Sequence, residues 1–479
     1  MTFFLLELLM VMGIISSAET QITEKTPALY FQVKNKEKLS AAFTLAVSTI
    51  DRNTHDSILA AGADYGGEWA RDAAINAWNA ASLLRPGIAE RSLWNVTVNQ
   101  ETVGHQYWDK IIWVVAALYH YRVTGNMQFL RRAYLCSKNT MRQLEETEFD
   151  STSGLFRGPS VMNDGIAGYP EPPAEPDNYS SFVLNHPDTK YLKCLSTNCL
   201  YYGAYQALIQ MADLLKSDQK AKKDYQIKAK NLQRSVVAKL WLEKERRFGY
   251  FIDKNGQVDT SQEGLGGAFA VIFDIVNDEM KQSLIDHTVS TPFGITNVYP
   301  DFPQFSPEKP GRHNNIVWPM INGFWGYAAY KTKRYELFQF ELENLANLAL
   351  DKDKGDGNFR EVYNPYTGAP DGGWQVGNSS RSCNHQTWPA TAYLRLVLHG
   401  LLGIQFEGEG IYFSPYLPRG YDEIILNNLT YRNCILNMRV TGTGNRVSSF
   451  KLDGKTEKFP LINTGLHGNH QIEIEVTDH

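Results

Sequence analysis

Residues 108–146 read WDKIIWVVAALYHYRVTGNMQFLRRAYLCSKNTMRQLEE. Apolar residues return at intervals of three and four on both sides of Thr124-Gly125-Asn126, the spacing of helices with one buried stripe. Thr-Gly is a helix stop, so the stretch predicts two helices, 108–123 and 127–146, folded back across a three-residue turn. The same spacing marks 69–84, 197–215, 219–241, 264–276, 315–331, 334–350 and 386–402, all of ordinary helical length. Helix pairs recur without the fixed period of a solenoid. From about Lys38 to Gly403 the chain is therefore mainly α, a series of α-hairpins.

Beyond residue 403 the period shortens to alternating runs: Gly410-Ile411-Tyr412-Phe413, Ile424-Ile425-Leu426, Ile435 to Val440 and Ile472 to Val476. Turns at Gly442–Asn445 and Asp453-Gly454 separate some of them. This predicts a helical body over 19–403 and a small C-terminal antiparallel β-sandwich over 404–479.

The chain has 479 residues, 43 % hydrophobic and 21 % charged, which suits a well-cored globular protein and excludes a disordered one. Lys+Arg number 47 against 52 Asp+Glu, so there is no basic footprint and no nucleic acid is expected as a partner. Ten Trp, 25 Tyr and 23 Phe are compatible with a Trp-rich core or with ligand-facing rings. Residues 2–15 form an apolar run before Ser16-Ser17-Ala18, which reads as a signal peptide over 1–18 and a secreted or periplasmic protein. Glu7 interrupts that run and no Lys or Arg precedes it, so a buried helix is the other reading. The run is too short for a hydrocarbon core of about 30 Å, and no later segment is apolar enough, so no membrane span is expected.

Cys136, Cys194, Cys199, Cys383 and Cys434 are odd in number, which excludes complete pairing within the chain. Cys194 and Cys199, in CLSTNC, are close enough for a small-loop disulfide in an oxidising compartment. No His stands at zinc-ligand spacing, and no metal is expected. Asn95, Asn178, Asn378 and Asn428 each begin an N-x-[ST] triplet.

Long stretches between the hairpins, 86–107, 148–195, 289–314 and 351–385, read as irregular and carry many aromatics. Loops of that length are usually functional or disordered. Gly66-Gly67-Glu68-Trp69-Ala70-Arg71-Asp72 places a ring beside a charged fork, fit for a sugar's CH face and hydroxyls. Arg71 and Asp72 also read as a plain surface pair in a first helical turn. Asp164 lies in a Gly-flanked loop with Met162, Ile166, Tyr169 and Pro170: either a simple turn, or a carboxyl raised in pKa by apolar surroundings and fit to be a general acid. Glu361 precedes Asn364-Pro365 and Thr367-Gly368, which fix it in a tight turn leading to Trp374. Asp164 and Glu361 together supply the two carboxylates of glycoside hydrolysis. Gln386 enters the last helix, Trp108-Asp109 opens the helix 108–123, and Arg312-His313 leads to Trp318-Pro319. His313 reads as structural, since no Ser or Cys nucleophile context accompanies it.

These residues form a pattern that resembles the six-hairpin, (α/α)6-barrel glycosidases: glucoamylases, debranching-type glucosidases, trehalases, α-glucosidase I and mannosylglycerate hydrolase. Trp69-Ala70-Arg71-Asp72 resembles their sugar-binding W-x-R-D element, and Asn315-Ile316-Val317-Trp318-Pro319 is similar to their N-G-x-x-W-P element. Trp108-Asp109 through Asn126 resembles their next hairpin. Glu361-Val362-Tyr363-Asn364-Pro365-Tyr366-Thr367-Gly368 looks like the E-x-Y-x-P-x-T-G turn whose Glu is the general base in the trehalase and glucosidase I clan. Ser414 to Pro418 and Lys451 to Gly454 resemble the C-terminal domain of disaccharide phosphorylases and rhamnosidases. The clan's acid lies in W-D or L-D-D-Y-P sequences, from which Asn163-Asp164-Gly165 departs.

The resemblance implies an (α/α)6 toroid and an exo-acting, inverting hydrolase of an α-glycosidic bond in an oligosaccharide or glycoside. Asp164 is then the acid and Glu361 the base. Arg71, Asp72, Asp109 and Gln386 bind sugar, Trp69, Trp108, Trp318 and Trp374 wall the pocket, and no cofactor is needed. A phosphorylase on the same scaffold and a non-catalytic glycan-binding protein are the rival expectations.

Overall fold

The computed structural model of the chain describes residues 28–65, 67, 69–170, 179–351, 357–408 and 410–478. The 1–18 leader, the Asn178 triplet, and Gly66 and Glu68 of the Trp69 loop lie outside the described residues.

The body is built from α1 (Glu37–Arg52), α2 (Ala70–Asn76), α3 (Pro86–Asn95), α4 (Ile112–Thr124), α5 (Met127–Glu148) and α6 (Leu195–Leu214). It continues with α7 (Gln219–Leu240), α8 (Gly264–Ile272), α9 (Asp278–Asp286), α10 (Pro319–Lys331), α11 (Tyr335–Leu350) and α12 (Thr387–Arg395). The turn between α4 and α5 follows its sequence: Gly125 takes a left-handed φ of 70°, and the Asn126 side chain accepts from the N–H groups of Gln128 and Phe129.

Even- and odd-numbered helices differ in kind. Every residue of α8 is buried, whereas α7 buries only the stripe Tyr225, Ala229, Leu232, Val236 and Leu240. A helix apolar all round belongs inside, and a striped one outside. The packing agrees: α2 lies on α4, α4 on α6, α6 on α8, α8 on α10, α10 on α12, and α12 returns to α2. Each is backed by an odd-numbered neighbour, α3 on α2, α5 on α4, α7 on α6, α9 on α8, α11 on α10 and α1 on α12.

Two predicted helices are longer than one α-segment. α2 runs through a π-helical stretch, Ala77–Ala81, to Ser82–Leu84, and α12 continues as π-helical Leu396–Leu401. The stretch 86–107, expected to be irregular, begins with α3. Pro86 reads as a breaker, but it occupies the first turn, where its missing N–H costs nothing.

At the C-terminal end stand β1 (Tyr30–Val33), β2 (Ile404–Glu407), β3 (Gly410–Phe413), β4 (Glu423–Tyr431), β5 (Cys434–Gly442), β6 (Arg446–Leu452), β7 (Lys455–Thr456), β8 (Leu461–Asn463) and β9 (Gly468–Thr477). They form a six-stranded sheet, β1-β4-β5-β9-β6-β7, and a three-stranded one, β2-β3-β8. The sheet is mixed rather than antiparallel as expected, because β5 and β9 run parallel. Their alternation of buried Ile472, Ile474 and Val476 is the same in either direction, so the sequence does not reveal it. β1 also departs from the 403/404 division: it pairs Phe31 with Leu426 and Val33 with Ile424, burying both its apolar residues in the C-terminal sheet.

All five cysteines are free and buried, so the Cys194–Cys199 pairing that the sequence left open is not formed. Cys194 is held in a strand pairing opposite Phe251, while Cys199 packs inside α6. Among the described residues no helix is long and apolar enough to cross a membrane.

Candidate active site

A cavity of about 470 Å³ opens where α2, α10 and α12 begin. Trp69, Trp318 and Gln386 are the residues immediately before these three helices, and Arg71, Asp72 and Trp388 lie in their first turns. Asp164, Glu361, Tyr65, Gln106, Phe182, Arg312, His313 and Gln375 complete its polar and aromatic wall.

Asp164 owes its position to a buried polar network beneath its loop. Ser160 Oγ donates to Glu263 Oε1 at 2.6 Å, Ser160 N–H to Tyr169 OH at 2.9 Å, and Val161 N–H to Ser196 Oγ at 3.1 Å. Tyr169 OH in turn donates to the Asn163 carbonyl at 3.0 Å. A Glu361-centred turn is held differently. Tyr363 exchanges two backbone hydrogen bonds of 3.0 Å with Val317, next to the start of α10. Asn364 Oδ1 accepts from the N–H groups of Tyr366 and Thr367 at 3.0 and 3.1 Å, and Gly368 closes the turn with φ 68°. Glu361 N–H donates to the Cys383 carbonyl at 3.0 Å, which ties the turn to the α12 entry.

Each carboxylate has its own arginine. Arg312 Nη2 lies 2.8 Å from Glu361 Oε2, and Tyr65 OH donates to Glu361 Oε1 at 3.3 Å. Arg71 Nη2 lies 3.2 Å from Asp164 Oδ2, while its Nη1 reaches Asp109 Oδ2 at 3.2 Å and the Val161 carbonyl at 3.0 Å. His313 Nε2 stands 3.6 Å from Asp164 Oδ1, and its ring stacks on Trp318.

Burial pushes Asp164 up, but the charge of Arg71, its hydrogen bond to the carboxyl and the more distant charge of Arg312 outweigh it and hold the carboxyl below its usual range. This corrects the expected upward shift: the loop is apolar in sequence, yet two guanidiniums face it across the cavity. Asp72 is pushed up to about 7, by burial first, with Arg71 opposing and Asp164 and Glu361 adding to it. Asp109 is likewise pushed up to about 7, by burial first, against the pull of Arg71. Burial drives His313 down to about 3, so its ring is neutral.

Of the residues singled out in the sequence, Asp164, Glu361, Trp69, Arg71, Asp72, Trp318 and Gln386 meet in this one cavity. Trp108, Asp109 and Trp374 do not line it. Trp108 is fully buried among Ile166, Tyr169, Val183 and Tyr250, where its ring fills a core. Asp109 is fully buried behind Arg71. Trp374 serves by its backbone, its carbonyl accepting from Arg312 N–H at 2.9 Å. The sequence pointed to the segments that carry Arg312 and Trp388 without giving either a role, gave no sign of Tyr65, Gln106, Phe182 and Gln375, and read His313 as structural. Arg312 and Trp388 flank the Asn315–Pro319 and Gln386 elements already singled out, which was the available signal; Gln106 and Phe182 carried none.

Five buried polar atoms of the lining residues lack a protein partner: Arg71 Nε, His313 Nδ1, Gln375 Oε1, Gln386 Oε1 and Trp388 Nε1. Such groups are costly unless something bonds them. Rings, polar side chains and braced carboxylates in one sugar-sized cavity, set on this helical body, are the equipment of a glycoside hydrolase. The chain belongs to the mannosylglycerate hydrolase MGH1-like glycoside hydrolase domain family, which matches residues 65–388.

Solved structures of similar fold include the family 63 mannosylglycerate hydrolase of Thermus thermophilus, solved with Tris. It is 16 % identical with a TM-score of 0.59, covering 74 % of this chain and 100 % of its own. The family 78 rhamnosidase of a Bacillus species is 13 % identical with a TM-score of 0.63, over 94 % of this chain and 44 % of that one. A sialidase chain is 15 % identical with a TM-score of 0.67, and this chain covers 37 % of its length. No curated protein sequence matches the chain.

Proposed function

We propose that the protein is an exo-acting, inverting hydrolase of an α-glycosidic bond, built on an (α/α)6 toroid. The cyclic neighbour order of α2, α4, α6, α8, α10 and α12 supports the toroid. The observation that carries the activity is the pair of carboxylates in one cavity, Asp164 and Glu361, each held by a separate arginine. Glu361, fixed by Arg312 and Tyr65, takes a proton from water as the water oxygen bonds to the anomeric carbon. Asp164 acts in its protonated form, which Arg71 disfavours and lower pH favours, and gives its proton to the glycosidic oxygen as the bond to the leaving group breaks. The products are a free sugar of opposite anomeric configuration and an alcohol, and solvent returns the proton from Glu361 to Asp164. Inversion requires room for that water, about 6.5–9.5 Å between the carboxyl groups. Arg71, Asp72, Gln386 and Gln375 meet the hydroxyls, and Trp69, Trp318 and Trp388 the ring faces. No step calls for a cofactor.

Mannosylglycerate, named for the Thermus relative, belongs in the first substrate set beside aryl glycosides and natural disaccharides. Proton NMR of the first-formed sugar, with and without inorganic phosphate, tests the proposal. The expected result is an inverted anomer formed without phosphate. A retained anomer or strict phosphate dependence overturns it. Export through a signal at residues 1–18 is part of the same proposal, on the sequence of that segment, and N-terminal sequencing of secreted material tests it.

A further inference from the structure

Among the described residues three arginines are less than a tenth exposed, Arg71, Arg312 and Arg395. Arg71 pairs with Asp109 and Asp164, and Arg312 with Glu361, as a buried cation ordinarily must. Arg395 is the most buried of the three, at 2 %, and no carboxylate is among the groups that act on it. Its Nε donates to Asn79 Oδ1 at 2.5 Å and its Nη2 to the Trp78 carbonyl at 3.3 Å, while Nη1 has no protein acceptor among the described residues. The guanidinium lies over the rings of Trp78, Phe324 and Tyr327, with centroids 4.5, 4.6 and 5.3 Å away.

Arg395 lines a cavity of about 640 Å³ at the end of the body where α4, α8, α10 and α12 finish. Arg122 in the last turn of α4 and Lys331 at the end of α10 share it. Arg122 Nη2 donates to Gln210 Oε1, and Lys331 Nζ to the Ile272 carbonyl at 2.9 Å, with Asp274 Oδ2 3.6 Å away. Burial drives His399 down to about 4, so its ring is neutral and adds no charge. Three cations therefore face one lining carboxylate, that of exposed Glu407. Burial lowers the pKa of Arg395, Arg122 and Lys331 alike, the mark of cations short of counter-charge. Carbonyls at the helix ends ease that charge but leave Arg395 Nη1 unbonded.

We propose that this second cavity binds a small aromatic carboxylate, its carboxylate on Arg395 with Lys331 and Arg122 flanking, and its ring against Trp78, Phe273 and Phe406. The proposal stands apart from the reading of the first cavity. A volume within about 300–1,000 Å³ suits a small molecule. A planar carboxylate matches the guanidinium, and the aromatic wall offers ring faces and edges to a flat ligand. Phosphate, with three oxygens to satisfy and no apolar part, fits this lining less well.

Calorimetry of the whole protein with benzoate, benzyl alcohol, acetate and inorganic phosphate tests it. Benzoate should bind at least about tenfold more tightly than the other three, since only it combines the charge with the ring. A saturating piperidine iminosugar, directed at the first cavity, should not displace it. R395Q should weaken benzoate about tenfold or more, the loss expected of a hydrogen bond to a charged group. Because Arg395 also braces Asn79 and Trp78, K331Q and R122Q serve as milder variants, each weakening benzoate several-fold with hydrolysis unchanged. Benzoate bound no more tightly than benzyl alcohol or phosphate, displaced by the iminosugar, or bound unchanged by folded K331Q and R122Q overturns the proposal.

Discussion

Glu361→Gln isolates the proton-accepting role from the geometry that holds it. Gln is nearly isosteric, and its amide oxygen can still accept from Arg312 Nη2, which lies 2.8 Å from Glu361 Oε2. The turn survives, because Tyr363 remains paired with Val317 and Asn364 Oδ1 still gathers the Tyr366 and Thr367 N–H groups. What is lost is the base alone, since a neutral amide cannot take a proton from water. General-base catalysis contributes about 10²–10⁴ in rate, or about 3–5 kcal/mol of the barrier. kcat should therefore fall by two to four orders of magnitude. Affinity for the sugar should change only a few-fold, because Asp72, Gln375, Gln386, Trp318 and Trp388 still line the cavity. Single-turnover hydrolysis of an aryl glycoside, with product binding by calorimetry, measures both. A kcat within tenfold of wild type, or a loss confined to KM, would refute the role of Glu361 as base.

Trp69 and Trp108 should separate cleanly. Trp69→Ala, at a residue 44 % exposed at the cavity, should raise KM and leave Tm unchanged, whereas Trp108→Ala, in a closed core, should cost about 3–5 kcal/mol in chemical denaturation. At Gly62 an added Cβ would stand 2.1 Å from Gln386 Oε1, so Gly62→Ala should displace that amide and raise KM several-fold with a smaller change in kcat; steady-state kinetics with an unchanged KM would rule this out. Glu341, away from the cavity, is pushed up to about 7 by burial, against hydrogen bonds from Asn322 and the Ile295 N–H, while the unfolded chain titrates near 4. The folded state holds that proton in the window between, so this group's contribution to stability falls as pH rises from about 4 to about 7 and is flat above. Glu341→Gln should flatten that part of the Tm-against-pH curve, since Asn322 Oδ1, now unpartnered, can turn to accept from the new amide; an unaltered slope would count against it.

How much of this was legible in the sequence depended on whether a residue's partner was local. Gly125 and Asn126 carry out their roles within four residues, and the hairpin they make was readable. So was the Glu361 turn, whose Asn364 and Gly368 act on their neighbours. Asp164 was recognisable as a loop carboxylate, but the sign of its pKa shift was not, because Arg71 and Arg312 are 93 and 148 positions away in the chain. Trp108 and Trp69 look alike as aromatic residues ahead of a helix. Only the packing separates them, since Trp108 lies under the Ile166 and Tyr169 segment while Trp69 is half-open to the cavity. The parallel pairing of β5 with β9 and the capture of β1 by the C-terminal sheet depend on partners far along the chain, which periodicity does not reveal.

The helical body also imposes an electrical polarity that favours an acid such as Asp72 at one end. α2, α10 and α12 begin at the cavity that holds Asp164 and Glu361. The other ends face a second cavity of about 640 Å³, lined by Trp78 beyond α2, Tyr327 and Lys331 of α10, and Arg395 of α12. Helix starts carry partial positive charge and helix ends partial negative charge. Carboxylates are favoured at the first mouth, and Asp72 in the opening turn of α2 is placed to benefit. Cations are favoured at the second, where Arg122, Lys331 and Arg395 collect. Arg395 is 2 % exposed, bonds Asn79 Oδ1 at 2.5 Å and the Trp78 carbonyl at 3.3 Å, and lies over the Trp78 and Phe324 rings. Burial lowers its pKa to about 10, which still leaves it charged at neutral pH, beside backbone carbonyls that suit a cation. The same alignment thus helps to keep acids at one end of the body and arginines at the other. The exceptions are Glu407 at the second cavity and Arg71 and Arg312 at the first, where each arginine is paired with a carboxylate, Asp164 or Glu361.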